Sequence, residues 1–426
     1  MNRAESAILS AAESISRPRL AAPEPGLTPE TVIARATALK PLLRAQQDEA
    51  DARGHYSQAL HDEFIKAGFY RLLQPRMFGG YEFDYATYFK VIIEIASGHP
   101  ATGWCLALAA SHAPLVAAHW SEEAQMELFG DGHFAAPHRA VPGGRCEPVE
   151  GGYIIDGVWP YCSGIPHSTH LIAATLIPRP DGPPRLLNFA VPAGQYTVLD
   201  DWGGDRTLGM RASGSNSVRV DKLFVPKHMT ADADRQYRVP DPQAGTHGTR
   251  LHGNPMYLGL TMGPYHAALV SPVIGAARAA LDEFHDILRT QNTFAPPLMK
   301  RFESPDFQRP YGAALAMTDA AEGIVMQAMH QHMALCRRWA EQKIAPTAEE
   351  MLRLWTMQQQ AGKLASEAVE LLFRNSGSTA ARSGSRMLRY FGDVQMYRGH
   401  MSSQYQTFAS MVGRARLGLP SGFLDL

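Results

Sequence analysis

The sequence predicts a mainly α-helical protein with one inserted β domain. Two observations lead to this fold class: periodic helical patterns occupy both ends of the chain, whereas short alternating runs occupy the middle. Helix, then strand, then helix again indicates three units. We place them at residues 1–134 (an N-terminal helical domain), 135–235 (a central β domain, barrel or sandwich) and 236–426 (a linker loop and a C-terminal four-helix bundle).

The first helical region runs from about residue 29 to 128. Thr28-Pro29 is typical of a helix start, because Pro favours the first helical position. Ala-rich periodic patterns follow at 56–67 and 85–96, and the turn at 77–81 interrupts them. We therefore expect several separate helices here.

The middle region carries β-type runs. Gly152–Trp159 alternates with period two, as a half-buried strand does, and further runs lie at 186–191 and 217–225 between Gly- and Pro-containing turns. Residues 236–254 are rich in Pro, Gly, His and Asp and show no periodicity. We interpret that segment as a linker or an active-site loop.

The C-terminal region contains long Ala/Leu/Met-rich helical patterns, which predict a four-helix bundle. These patterns are apolar over more than one face, as expected for helices that also pack against other subunits. They span 267–290, 312–342, 348–373 and 385–414.

Composition excludes several classes of partner. The net charge of −1 gives no general attraction to nucleic acid or to an acidic membrane. The four cysteines have neither C-x-x-C nor metal-ligand spacing, so we expect no metal site and a reducing compartment. Met1–Ser16 lacks the features of a signal peptide, and no run approaches the length of a membrane-spanning helix. The expected location is the cytoplasm, with no membrane association.

The segment Trp159–Gly164 is the most informative short motif. It places an aromatic ring and the Ser163 hydroxyl close together where a strand ends, an arrangement that suits a flavin. The hydroxyl could bond a ring nitrogen of a planar cofactor while Trp159 or Tyr161 covers its face. The alternative is a core tryptophan followed by an ordinary turn.

Longer motifs carry a family resemblance over almost the whole chain. The chain resembles the acyl-CoA dehydrogenase superfamily in the order of its three units. It also resembles that superfamily in two motifs, Pro75–Tyr81 and Leu208–Ser215 followed by Val220–Pro226. Within that superfamily, the chain resembles one branch more specifically. This branch contains the oxygenase components of two-component, reduced-flavin-dependent monooxygenases, the relatives of 4-hydroxyphenylacetate 3-hydroxylase. The motifs for this branch are Thr102-Gly103-Trp104 with His112, the Trp159–Gly164 segment, and Arg389–Asp393 with His400.

This resemblance implies an activity and its partners. Such an enzyme takes reduced FMN, or FAD, from a separate NAD(P)H-dependent flavin reductase and reacts it with O2. Through a C4a-hydroperoxyflavin it would oxygenate a small aromatic or heteroaromatic substrate, of the phenol or indole type. The fold resembled is usually a homotetramer.

The resemblance also assigns catalytic residues. Ser163 matches the hydroxyl that bonds flavin N5, and His400 matches a histidine near the oxygen-reacting edge, where an imidazolium would favour developing anions. His112 matches the base that accepts a proton from the substrate hydroxyl. From the residues alone, His112 could be a core histidine and His400 a solvated one.

The remaining candidates concern substrate and cofactor binding. His138 stands where phenol hydroxylases of this kind tend to have Ser, so it could bond a ring N–H, a carbonyl or a carboxylate; Tyr265 and His266 are further substrate candidates. Hydroxyl-rich segments at 211–215 and 375–378 could cradle a phosphate or could be ordinary polar turns. Gly392-Asp393 replaces the Arg-Asp pair common in the family, so a flavin-phosphate contact or a structural contact could have moved to Arg389 or Arg386. The candidate flavin contacts are Trp159, Tyr161, Ser163, Arg211, Ser213, Ser215, Asn375 and Ser376.

Two other functions remain open at this stage. An FAD-dependent acyl-CoA dehydrogenase needs a carboxylate base, but Arg398 holds the usual acidic position; Glu367 or Glu370 could replace it. The third possibility is a non-catalytic protein that binds flavin or an aromatic ligand on a borrowed fold.

Overall fold

The computed structural model describes residues 20–179, 182–234, 241 and 243–422. It confirms the predicted fold class, a mostly helical chain with a sheet-forming middle region. The predictions for Met1–Ser16, and for 236–240 and 242 of the linker, lie outside the described residues. Within the rest of that linker, 247–252 form a short helix, so it is not wholly irregular.

The helices of the N-terminal region begin where polar caps precede periodic sequence. Thr28 caps the first of them by accepting from the Thr31 N–H at 3.2 Å, and Pro29 occupies its first position, as predicted. Ser57 caps the helix predicted at 56–67 in the same way. The helices are α1 Pro29–Ala38, α2 Lys40–Ala45, α3 Gln47–Arg53, α4 Gln58–Lys66, α5 Tyr85–Gly98, α6 Pro100–Ala110, α7 Ala113–His119 and α8 Glu122–Phe129.

Helices α6 and α7 form one apolar run, Pro100–His119, that is interrupted at Ser111-His112. This run of 20 residues is long and apolar enough to cross a membrane, contrary to the expectation that no such run exists. However, 89% of its window is buried inside the protein, where it packs as core. The interruption ends α6 and places His112 at the start of α7.

The β domain consists of two four-stranded sheets and forms no closed barrel among the described residues. One sheet has the order β1-β4-β5-β8, in which β1 and β4 are parallel; the other has the order β2-β3-β7-β6 and is antiparallel. The strands are β1 His138–Arg139, β2 Arg145–Val149, β3 Gly152–Trp159, β4 His170–Ile177, β5 Arg185–Pro192, β6 Thr197–Val198, β7 Val218–Pro226 and β8 Thr230–Asp232. All three predicted strands are present.

The C-terminal bundle differs from the prediction in its fourth helix. The pattern at 385–414 forms two helices, because Gly399 ends the first and the backbone of His400 is extended (φ −83°, ψ 155°). A 3-10 turn, Met401–Ser403, joins them. The helices after the β domain are α9 His247–His252, α10 Met262–Thr290, α11 Pro305–Gln342, α12 Ala348–Ser376, α13 Arg386–Arg398 and α14 Tyr405–Arg416.

Close backbone approach joins the bundle to the β domain. A Cβ on Gly209 would lie 2.2 Å from the carbonyl carbon of Gly392, so only glycine fits at this crossing. The Met210 N–H donates to Asp393 Oδ1 at 2.6 Å beside it. These contacts fix the loop before β7, which carries Ser213 and Ser215, against α13.

Candidate active site

A cavity opens where α6 and α7, strand β1 and the start of α10 meet. It encloses about 530 Å³, counting its open mouth. Its lining is apolar with a few hydroxyls and two imidazoles, and no Lys, Arg, Asp or Glu is among the lining residues that the structure describes. The lining residues are Tyr85, Ser111, His112, Pro114, Leu115, His138, Ala140, Thr261, Met262, Pro264, Tyr265 and Met401.

His112 is held as a neutral imidazole with a defined tautomer. Its Nδ1–H donates to the Ala136 carbonyl oxygen at 2.8 Å, which leaves Nε2 with a lone pair. Burial lowers the pKa of His112 to about 4, because the charged form would lose its hydration. At neutral pH the residue is therefore in its basic form, at the wall of the cavity.

His138 faces the same cavity from the first position of β1. Its Nε2 lies 3.3 Å from Oδ1 of Asn188, which is on β5, across the intervening strand β4. The rings of His138 and His112 meet edge to face, with centroids 5.6 Å apart. Burial, together with the neighbouring His112, lowers the pKa of His138 to about 3, so it too is neutral.

Ser163 belongs to a buried chain of hydroxyl groups. Its Oγ lies 2.7 Å from Ser215 Oγ, which lies 2.6 Å from Ser213 Oγ. The indole N–H of Trp104 donates to Ser163 Oγ at 3.2 Å. Gly164 makes the turn possible, because its backbone has φ +89° and a Cβ would lie 2.8 Å from the Cys105 carbonyl oxygen.

Trp104 and His400 connect this hydroxyl chain to the cavity. The two rings meet edge to face with centroids 5.7 Å apart, and Met401, the next residue, lines the cavity. The backbone N–H of Ser402 donates to His400 Nδ1 at 3.2 Å, so the ring proton resides on Nε2. Burial lowers the pKa of His400 to about 4. The expected imidazolium is therefore a neutral imidazole that offers an N–H donor.

Of the other substrate candidates, Tyr265 lines the cavity, whereas His266 does not. His266 is fully buried inside the bundle, where its ring meets that of Phe408 edge to face at 4.9 Å. Gln359 Nε2 donates to its Nδ1 at 3.2 Å. His266 therefore does not line the described cavity, and its contact with a substrate stays a prediction.

The two aromatic residues proposed to cover a flavin have different surroundings. Trp159 is fully buried in the β domain, where its N–H donates to the Ala174 carbonyl at 2.9 Å and Phe189 packs edge to face against it. The structure therefore assigns Trp159 to the core. Tyr161, with positive φ of 60°, remains 60% exposed beside Trp202.

The proposed phosphate cradles are also arranged differently from the expectation. Ser213 and Ser215 are buried, and their hydroxyls already have partners in the hydroxyl chain. At the end of α12, Asn375 and Ser376 each donate to a carbonyl one turn earlier, at 2.7 and 2.8 Å. Ser376 is a buried helix residue whose hydroxyl is already engaged. Arg211 is half-exposed and pairs with Asp205.

The two arginines considered for phosphate binding already have partners. The Arg389 guanidinium contacts Asp48, Asp51 and Gln47 and is only 11% exposed. Arg389 therefore ties α13 to α3 and is not free for a phosphate. Arg386 lies 3.9 Å from Glu283 and is 44% exposed.

The carboxylates considered for a dehydrogenase are likewise engaged. Glu370 lies 2.6 Å from Arg398 Nε and accepts from Gln395 at 2.8 Å, while Glu367 pairs with Lys363 at 3.3 Å. Neither lines the cavity. Arg398 thus occupies the expected acidic position and also neutralises the nearest substitute, which argues against a carboxylate base.

Two residues that sequence reasoning did not select contribute to the site. Trp104 was noted only as part of a motif, yet it links Ser163 to His400. Asn188 lay within a predicted strand and gave no local signal, because its contact with His138 depends on which strands are neighbours in the sheet. The apolar run that precedes His112 contains Trp104, and this run could have indicated that Trp104 is buried next to the site.

Known proteins share both the sequence and the fold of this chain. Residues 34–130 match the family "Acyl-CoA dehydrogenase, N-terminal domain", and residues 267–405 match "Acyl-CoA dehydrogenase, C-terminal domain". The oxygenase subunit HsaA of a flavin-dependent monooxygenase from Rhodococcus jostii is 28% identical over 91% of this chain and 98% of its own. The oxygenase component of an FADH2-dependent resorcinol hydroxylase from Rhizobium sp. is 27% identical over 94% and 98%.

Solved structures agree with these relatives. The 3-HSA hydroxylase of Rhodococcus sp. RHA1 superimposes with a TM-score of 0.81 at 25% identity, covering 92% of this chain and 97% of that one. Proteins of the same fold have been solved with FADH2 and with FMN bound. The chain therefore belongs to the acyl-CoA dehydrogenase superfamily, within its branch of flavin-dependent monooxygenases.

Proposed function

We propose that this chain is the oxygenase component of a two-component monooxygenase that uses reduced flavin and O2 to hydroxylate a small aromatic substrate at the cavity. The observation that carries the proposal is His112, a neutral imidazole with its Nε2 lone pair at the wall of an apolar cavity. The apolar lining of the cavity, with its few polar groups, suits a small aromatic molecule.

The hydroxyl chain fits a reduced flavin. A hydroxyl has one donor and two acceptor sites, and Trp104 fills one acceptor site of Ser163. If Ser163 donates to Ser215, the second acceptor site of Ser163 is open to an N–H, such as the one that N5 of a reduced flavin carries. If Ser215 donates to Ser163 instead, the Ser163 hydroxyl can donate its own proton to the flavin. Bound reduced flavin would supply the electrons that activate O2; either FMN or FAD is compatible with these contacts.

His112 would act on the substrate. Its Nε2 can accept a hydrogen bond from an aromatic hydroxyl, because Nδ1 is committed to Ala136. A base with a pKa of about 4 is weak. However, the substrate hydroxyl becomes a much stronger acid as the ring gives electron density to the incoming oxygen atom. Proton transfer to Nε2 can therefore follow that electron movement.

His400 would stabilise negative charge near the oxygen by donating from Nε2. Its Nδ1 is fixed by the Ser402 backbone, so the ring cannot rotate without losing that bond. A fixed neutral donor needs no reorganisation when charge develops. The edge-to-face contact of His400 with Trp104, whose indole N–H donates to Ser163, supports a shared flavin site for the two residues.

The remaining partners follow from the same scheme. We propose a separate NAD(P)H-dependent flavin reductase, because oxygenase components receive their flavin already reduced. We also propose a homotetramer in the cytoplasm.

Anaerobic mixing with reduced FMN or FADH2, followed by labelled O2 and a panel of phenols, indoles and thiophenes, tests the proposal. Mass spectrometry should detect a product that carries one labelled oxygen atom, and O2 uptake should require reduced flavin. A protein that is yellow with FAD when purified, and that bleaches with an acyl-CoA, would instead be a dehydrogenase. Absence of labelled product with every panel member would refute the oxygenase proposal.

A further inference from the structure

The two cavity histidines offer the same type of hydrogen-bonding atom. Nδ1 of His112 donates to the Ala136 carbonyl, and Nε2 of His138 donates to Oδ1 of Asn188. A neutral imidazole carries only one N–H, so the second nitrogen of each ring is an acceptor. The ring centroids are 5.6 Å apart. The cavity thus presents two acceptors within reach of one small aromatic molecule.

The two acceptor nitrogens limit the charge of the molecule that fits. Among the described residues, the other polar side chains that line the cavity carry hydroxyl groups. Arg139, the residue after His138, has its guanidinium 6.0 Å from the Tyr161 ring, and its charge contributes to the lowered pKa of both His138 and His400. A carboxylate placed at either imidazole would face a nitrogen lone pair instead of an N–H donor, and it would lose hydration without gaining a hydrogen bond there.

We infer that the substrate is an uncharged aromatic molecule with two hydrogen-bond donors: a hydroxyl at His112 and a second hydroxyl or a ring N–H at His138. The identity of the reacting hydroxyl rests on the proposed function, whereas the number of donors rests on the two imidazoles. Asn188 is a positioning residue, because its amide oxygen holds the His138 proton on Nε2 and so keeps Nδ1 an acceptor. This excludes the carboxylate that the sequence left open as a partner of His138.

Calorimetric titration under anaerobic conditions with saturating reduced FMN measures binding without turnover. Resorcinol has two donors, 3-methoxyphenol has one donor in a similar shape, and 3-hydroxybenzoate has a charge. We expect resorcinol to bind about 10-fold more tightly than 3-methoxyphenol, and 3-hydroxybenzoate to bind most weakly. Equal affinity for the first two in the wild-type protein would overturn the inference.

Variants assign the preference to His138. His138→Phe keeps an aromatic ring but removes both nitrogens, so the 10-fold preference should fall below about 2-fold. The same substitution at His285, a bundle-surface histidine paired with Tyr311, is the matched control and should keep the preference. An unchanged preference in a folded His138→Phe protein would overturn the inference.

Asn188→Leu provides a second test that does not alter the ring. Without the amide oxygen, His138 can move its proton to Nδ1 and donate to a methoxy oxygen. Binding of 3-methoxyphenol should therefore become tighter, which a loss of packing alone would not cause. Weaker binding of all three ligands to the same extent would contradict the positioning role.

The same proteins separate this inference from the proposed function. If resorcinol binds with the expected preference but labelled O2 yields only hydrogen peroxide, the oxygenase proposal fails and the donor count stands. If 3-methoxyphenol is hydroxylated and binds as tightly as resorcinol, the oxygenase proposal stands and the donor count fails.

Discussion

Replacing His112 by Ala tests whether this residue acts on the substrate or only supports the core. If Nε2 accepts the substrate proton, the variant should still consume O2 with reduced flavin but release it as hydrogen peroxide. General-base assistance contributes about 10²–10⁴-fold, which corresponds to about 2.7–5.4 kcal/mol of activation free energy. We therefore expect product formation to fall by that factor while O2 consumption remains near the wild-type rate.

The structure also gives the cost in stability. Ala136 is fully buried, and its carbonyl oxygen accepts from His112 Nδ1 at 2.8 Å. Removing the imidazole leaves that oxygen without this donor, which costs about 1–3 kcal/mol of unfolding free energy. His112→Asn is a polar variant that cannot supply the Nε2 base. If its unfolding free energy is closer to that of the wild type, it separates the loss of the base from the loss of stability.

The assay measures hydroxylated product and hydrogen peroxide per O2 consumed, together with urea denaturation. His285→Ala, on the bundle surface, is the control and should leave both ratios unchanged. If a folded His112→Ala protein keeps the wild-type ratio of product to O2, the base assignment is refuted. If product and O2 consumption fall together in proportion to lost stability, His112 is a core residue.

Three further outcomes follow from the same structure. Ser215→Ala breaks the hydroxyl chain, so more hydrogen peroxide should form per O2 consumed with little loss of reduced-flavin affinity; an unchanged peroxide yield would contradict the role of the chain. Burial lowers the folded-state pKa of His112 from 6.5 to about 4, so the unfolded chain takes up the proton first as the pH falls. The stability associated with neutral His112 is present above about pH 6.5, and about 3 kcal/mol of it is lost progressively toward pH 4. Denaturation of the wild type and of His112→Phe over this pH range should show that the unfolding free energy of the wild type falls more steeply. Gly209→Ala would place a Cβ 2.2 Å from the backbone of Gly392 and should lower the unfolding temperature clearly, whereas Gly312→Ala, which meets nothing within 4 Å, should not.

Local signals in the sequence were sufficient for most of the fold. The Thr28 cap and the alternation of Gly152–Trp159 are determined by neighbours in sequence, and both appear where predicted. The break in the last long helical pattern was missed, because helical periodicity continues through Gly399 and nothing nearby excludes a helix. The backbone of His400 is extended there, which ends the helix.

The site was predicted less completely, since its contacts join distant segments. The placement of His112 and His138 together at one cavity could be anticipated only through the family resemblance. For Trp159 the sequence left a flavin contact and a core position open, because an alternating strand does not say which aromatic residue faces the sheet interior; the structure shows the core position. The contact of Asn188 with His138 requires the order of strands β1, β4 and β5, which no local pattern encodes.

The break between α13 and α14 has a consequence for how such an enzyme can change its substrate. His400 and Met401 lie on this short connection, outside the regular helices that hold the bundle together. Loop residues tolerate replacement and changes in length better than helix residues, whose side chains pack on several neighbours. Met401 is also 46% exposed, so its size can vary at little cost to the core. The end of the cavity can thus be reshaped by drift or by engineering while the scaffold that holds His112 and Ser163 stays intact.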